Sequence, residues 1–79
     1  MPDTRDRVIK VVSQTLKVDT ARVTDDARFV EDLGAESIQS VELVAAFEEE
    51  FDIEMDEEAS LAVKDIGKAI EYIDKIRQG

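Results

Sequence analysis

Apolar positions recur with a helical period over three stretches of the chain. Val8, Val12 and Leu16 come every four residues, with Ile9 and Val11 beside them, which predicts a helix from about 3 to 17. Pro2 fits its start, and Asp3 or Thr4 can cap it. A second helix is predicted from about 37 to 51. On a helical wheel Leu43, Phe47, Ser40, Phe51 and Val44 occupy roughly a third of the circumference, and this is the expected core face. Ile66, Ala69, Ile70, Ile73 and Ile76 repeat the pattern over about 66 to 77. Lys75 and Arg77 suit the C-terminal end of that helix.

The intervals between these stretches carry their own signals. Val18 and Asp19 end the first period, and the run Asp52-Ile53-Glu54-Met55 ends the second. A short helix from about 56 to 63 opens on Asp56, Glu57 and Glu58, which favour the positive end of a helix dipole. Lys64 and Asp65 are expected to form a turn. Residues 18–36 make a long polar connection, but Val23, Phe29, Val30 and Leu33 anchor it, so it should be packed down by its own side chains. Gly34 offers backbone freedom near its end. With no repeat and no strand alternation, the expected fold is all-α. It is a four-helix bundle of three longer helices and one short third helix, with a long first loop, in a single domain over 1–79.

The second helix carries one strip too many. Ile38, Val41 and Ala45 fall opposite the core face, flanked by Glu42, Glu48 and Glu49. Scattered exposed apolar residues are ordinary. Three on one strip, ringed by carboxylates, read as a docking face for a partner.

Charge reinforces that reading. The chain carries 20 acidic and 10 basic residues, a net of -10. From 25 to 58 there are 14 acidic residues and one basic residue, Arg28, so the middle of the chain holds the field and the two ends are nearly neutral. Nucleic acid and anionic membranes should be repelled, and basic protein surfaces attracted. No apolar run approaches the ~20 residues that span a bilayer. Residues 1–6 lack the features of a signal peptide, so the expected location is the cytoplasm, without membrane insertion. There is no cysteine and no histidine, which removes disulfides, thiolate metal sites, and the commonest general base and metal ligand. Asp25-Asp26 and Glu31-Asp32 lack the spacing of a calcium loop, and no metal site is assigned.

Ser37 stands where the long loop meets the second helix. A nucleophilic serine needs a base. Without histidine, and with Lys10, Lys17, Lys64, Lys68 and Lys75 all at expected surface positions, none is supplied. No residue is assigned a catalytic role. A helix N-terminus does welcome a phosphate, through free N–H groups and the dipole. On position alone, Ser37 reads first as a helix cap.

The run Asp32-Leu33-Gly34-Ala35-Glu36-Ser37-Ile38-Gln39-Ser40-Val41-Glu42-Leu43-Val44 resembles the phosphopantetheine attachment motif of acyl carrier proteins. Phe29-Val30-Glu31 upstream and Phe47-Glu48-Glu49-Glu50-Phe51 downstream are similar in kind and spacing. The motif departs at Glu36-Ser37-Ile38, where the family usually has Asp-Ser-Leu. The resemblance implies that Ser37 carries covalent 4'-phosphopantetheine, added by a phosphopantetheinyl transferase, with Gly34 and Glu36 beside it. The arm's thiol would hold acyl groups as thioesters for enzymes of fatty acid, lipid or polyketide synthesis. It further implies a monomer with an apolar interior for the acyl chain, formed by Val12, Leu16, Phe29, Leu33, Leu43, Phe47, Ile53, Ile66 and Ile70. Basic patches on the enzymes would dock on Ile38, Val41 and Ala45 with Glu42, Glu48 and Glu49. The competing expectation is a carrier-like protein that is never modified and acts only through its acidic second helix.

Overall fold

A computed structural model describes residues 4–78. Four helices follow in order: α1 (Thr4–Leu16), α2 (Ser37–Phe51), α3 (Glu57–Ala62) and α4 (Ile66–Gln78), with a 3-10 turn at Thr20–Arg22. Apart from one isolated bridge, the described residues contain no extended pairing. The expected all-α bundle with a short third helix is the fold observed.

The core lies where α1 meets α2 and α4. Val8 and Val12 of α1 and Ile66, Ala69 and Ile73 of α4 are fully buried; Leu43, Phe47 and Phe51 of α2 close over them. Ile70 and Ile76, expected inward, are half-buried at the edge. Ser40 is a correction. The wheel puts it on the core face, but it is exposed, and its hydroxyl donates to the Glu36 carbonyl at 3.4 Å.

Both long helices before the third end without glycine. Lys17 and Asp52 adopt left-handed backbone, with φ of 56° and 54°. The Val18 N–H then reaches the Ser13 carbonyl, and the Ile53 N–H the Glu48 carbonyl, each at 3.1 Å. This is the six-to-one bond of a Schellman ending. At the other end of α1, Asp3 and Pro2 lie outside the described residues. Thr4 is buried, and its hydroxyl donates to Asp74 while accepting from Arg77 at 3.0 Å. Arg7 pairs with Glu50 at 2.8 Å. The guanidiniums of Arg7 and Arg77 sit 4.5 and 5.3 Å from the centre of the Phe51 ring, joining both chain ends to α2.

The loop from 17 to 36 is packed down as expected, through Val23, Ala27, Phe29, Leu33 and Ala35. It is also stitched to the start of α4, which corrects the expected turn at Lys64 and Asp65. Arg28 and Asp65 form an antiparallel bridge. Phe29 N–H donates to the Lys64 carbonyl at 3.1 Å, Ile66 N–H to Ala27 and Gly67 N–H to Asp25, both at 3.0 Å. At Gly67 the two backbones come close: a Cβ there would stand 3.3 Å from the Asp25 carbonyl.

Candidate functional site

The loop delivers the chain to α2 through a tight turn. Gly34 N–H donates to the Val30 carbonyl at 3.1 Å, and Ala35 N–H to Phe29 at 2.8 Å. Gly34 itself sits at φ +71°, with nothing within 4 Å of an added Cβ. The glycine is there for its backbone angle, as the sequence leads one to expect. Ala35 is buried and anchors the turn; Glu36 follows with extended backbone and is the N-cap of α2.

Ser37 is therefore not the cap. It is the first residue inside the helix, exposed, with the first helical bond running from Ser40 N–H to the Glu36 carbonyl at 3.0 Å. Of the donors that a helix start leaves open, the Glu36 N–H is taken by Gln39 Oε1 at 2.9 Å. Among the described residues the Ser37 and Ile38 N–H groups meet no acceptor, and no base bonds to the Ser37 hydroxyl. The arrangement provides open donors, the positive end of a fifteen-residue helix dipole, and an accessible hydroxyl. It fits a phosphodiester on that oxygen and offers nothing that would activate the serine as a nucleophile by itself.

Ile38 and Val41 are 68% and 70% exposed, and Ala45, Glu42 and Glu49 are exposed beside them. The second apolar strip is thus a real surface feature. Glu48 departs from it: it is half-buried, and its Oε2 accepts the Met55 N–H at 3.0 Å. Leu61 of α3 and Val30 of the loop, at 75% and 59% exposure, widen the apolar surface, and the sequence reading did not place either on it.

Beside the strip runs a groove of about 630 Å³, between α2, the turn at 29–31 and the segment from Met55 to Lys64. Three of the residues expected to shelter an acyl chain, Phe29, Leu43 and Phe47, line it. Val12 and Ile66 do not; they are fully buried in the filled core, where Leu16 and Leu33 also pack, with Ile53 and Ile70 against its edge. Ile70 faces instead a polar hollow by Arg5 and Asp25. Val30, Val44, Met55, Leu61 and Val63 add apolar wall, Glu48 lines the groove, and Val41 and Ala45 border both groove and strip. Ser40, one turn from Ser37, lines the groove, so the groove reaches to within one turn of the serine.

The sole cation between 25 and 58 is turned onto its own loop. Arg28 Nε stands 2.9 Å from Asp32 Oδ2 and 3.5 Å from Glu31, and the Arg28 N–H also donates to Asp32 at 2.8 Å. The side-chain and backbone bonds from Arg28 hold the Asp32 carboxyl below its usual range, and the Asp32 bond raises the guanidinium. From 25 to 58 no second cation offsets the remaining carboxylates.

A family model described as a phosphopantetheine attachment site matches residues 6–73. The chain belongs to this family, the phosphopantetheine attachment family of acyl carrier proteins. Its members carry 4'-phosphopantetheine covalently on a serine, are typically carriers without catalysis of their own, and work with phosphopantetheinyl transferases and synthases. Among the described residues, no helix is long and apolar enough to cross a membrane.

Proposed function

We propose that this chain is an acyl carrier whose attachment point is Ser37. The observation that carries the reading is the placement of an exposed serine at the first position of α2, with open N–H groups, one turn from a residue that lines an apolar groove. Modification forms a bond from Ser37 Oγ to phosphorus and breaks the pyrophosphate bond of coenzyme A. The serine proton and adenosine 3',5'-bisphosphate leave. When bound, the arm supplies a terminal thiol for acyl thioesters, chemistry that a cysteine-free chain lacks.

The chain's own residues do the rest. Gly34 and Glu36 shape the approach to Ser37. Phe29, Leu43, Phe47 and the groove wall shelter an apolar acyl chain from water. Ile38, Val41 and Ala45, with Glu42 and Glu49, meet basic patches on the transferase and on enzymes of fatty acid, lipid or polyketide synthesis. In this role it works as a monomer in the cytoplasm.

The test is intact mass. Incubation of the folded protein with coenzyme A and a phosphopantetheinyl transferase should add one phosphopantetheine. Ser37→Ala should add none while keeping its helical circular dichroism. A folded wild-type protein that no competent transferase modifies would overturn the reading.

A further inference from the structure

Three helical segments of this chain start in the same way. Asp19 accepts the Ala21 N–H at 3.0 Å, Asp56 the Glu58 N–H at 3.1 Å, and Asp65 the Lys68 N–H at 2.8 Å. Each aspartate sits just before its helix and spends its carboxylate on one of the helix's open donors. α2 is built differently. The residue before it is Glu36, one methylene longer than these caps; its side chain faces the Gln39 N–H in a capping box, and the box is closed by a second bond from inside the helix. Gln39 Oε1 reaches back to the Glu36 N–H at 2.9 Å. This is the returning half of a capping box, which glutamine or glutamate can provide.

The difference matters for what remains open. An aspartate cap takes an N–H from the first turn and sets a negative charge beside it. In α2 the Glu36 carboxylate faces the Gln39 N–H, and the neutral Gln39 amide adds a second bond, to the Glu36 N–H. The Ser37 and Ile38 donors stay unoccupied, and Glu36 is held on both sides: the Gln39 side chain takes the N–H of the Ala35–Glu36 peptide, and the Ser40 N–H takes the carbonyl of the Glu36–Ser37 peptide at 3.0 Å. The Glu36 backbone, so fixed, sets the direction in which the chain enters Ser37.

We infer that Gln39 is a positioning residue for the modification of Ser37: its side-chain clamp on the Glu36 backbone aims the serine hydroxyl while leaving the Ser37 and Ile38 N–H groups free for the incoming phosphate. The inference rests on the reading of Ser37 as the attachment point. Gln39 touches no reacting atom; it acts through the Glu36 peptide. A misaimed hydroxyl is bound as well as a correctly aimed one but reacts more slowly, so the loss belongs in kcat rather than KM.

Gln39→Ala removes the clamp, and Gln39→Glu keeps an acceptor at the same reach. With a phosphopantetheinyl transferase and coenzyme A, Gln39→Ala should lower kcat about tenfold, with KM within about twofold of wild type. Gln39→Glu should recover most of the rate. Independently of any enzyme, amide exchange at Glu36 should accelerate in Gln39→Ala and return towards wild type in Gln39→Glu. The role is overturned if Gln39→Ala is modified at the wild-type kcat, if its loss lies in KM, or if Gln39→Glu recovers neither rate nor protection. A wild-type protein that is not modified overturns this inference together with the reading of Ser37. A modified wild type with an equally fast Gln39→Ala overturns the clamp alone.

Discussion

Glu48 turns one carboxylate oxygen onto the Met55 N–H, and that single bond changes what the residue is for. Its backbone carbonyl also accepts the Ile53 N–H at 3.1 Å, so the residue holds the chain on both sides of the turn that leaves α2. A wheel drawn for α2 alone places Glu48 among the docking carboxylates with Glu42 and Glu49, because the wheel cannot show a backbone that folds back from Met55. Glu48→Ala leaves a half-buried donor without its acceptor and should cost about 1–2 kcal/mol in chemical denaturation. Glu49→Ala, on exposed surface, should stay within about 0.5 kcal/mol of wild type. Equal effects at the two positions would remove the structural role assigned to Glu48. The same scale separates Ser37 from a cap. Serine is a common capping residue, so sequence position alone supports both uses; with Glu36 as the observed cap, the Ser37 hydroxyl is not spent on capping.

At the scale of elements, α2 reads most directly. Its bounds at Ser37 and Phe51 are those the periodicity predicts, because Gly34 and the acidic break after Phe51 bracket a continuous apolar period. Its core face is legible at Leu43, Phe47 and Phe51 and illegible at Ser40. Whether a position on the arc is covered depends on where the neighbouring helices end, which the wheel does not contain. The loop is legible in its anchors but not in its stitching to α4. Those bonds run between backbone groups, and backbone groups leave no mark in the choice of side chain. The turn that feeds α2 depends on Gly34 at φ +71°. Gly34→Ala adds no clash, only the left-handed penalty of about 1 kcal/mol, and a matching fall in unfolding free energy should be seen by urea titration. An unchanged midpoint would mean that the turn does not need its glycine.

Over the whole molecule, charge is the dominant feature that composition reveals. Fourteen carboxylates against one cation between 25 and 58 repel one another in the folded state, and the cation is spent on Asp32 and Glu31. Raising ionic strength from about 0.01 to 0.15 M shortens the screening length from about 30 to 8 Å. The melting temperature should therefore rise with added salt, and millimolar Ca²⁺ or Mg²⁺ should raise it further. A melting temperature that falls with salt would mean that pairs such as Arg5–Asp25 and Arg7–Glu50 outweigh the repulsion.

An amphipathic helix carries its own geometry: the spacing of valines and isoleucines along the chain already states which side turns inward. The helix order, the buried faces and the second apolar strip on α2 follow from that local rule. The attachment motif is equally legible, because it is contiguous. The groove is not. It is a gap bounded by α2, a loop turn and a short helix, and its walls at Val30, Met55, Leu61 and Val63 come from segments whose own patterns say nothing of one another. The expected interior residues Val12 and Ile66 are apolar and inward, and so they fill the core instead. Burial is a property each residue's pattern can announce. Whether buried neighbours touch or leave room for a guest is decided only when the elements pack.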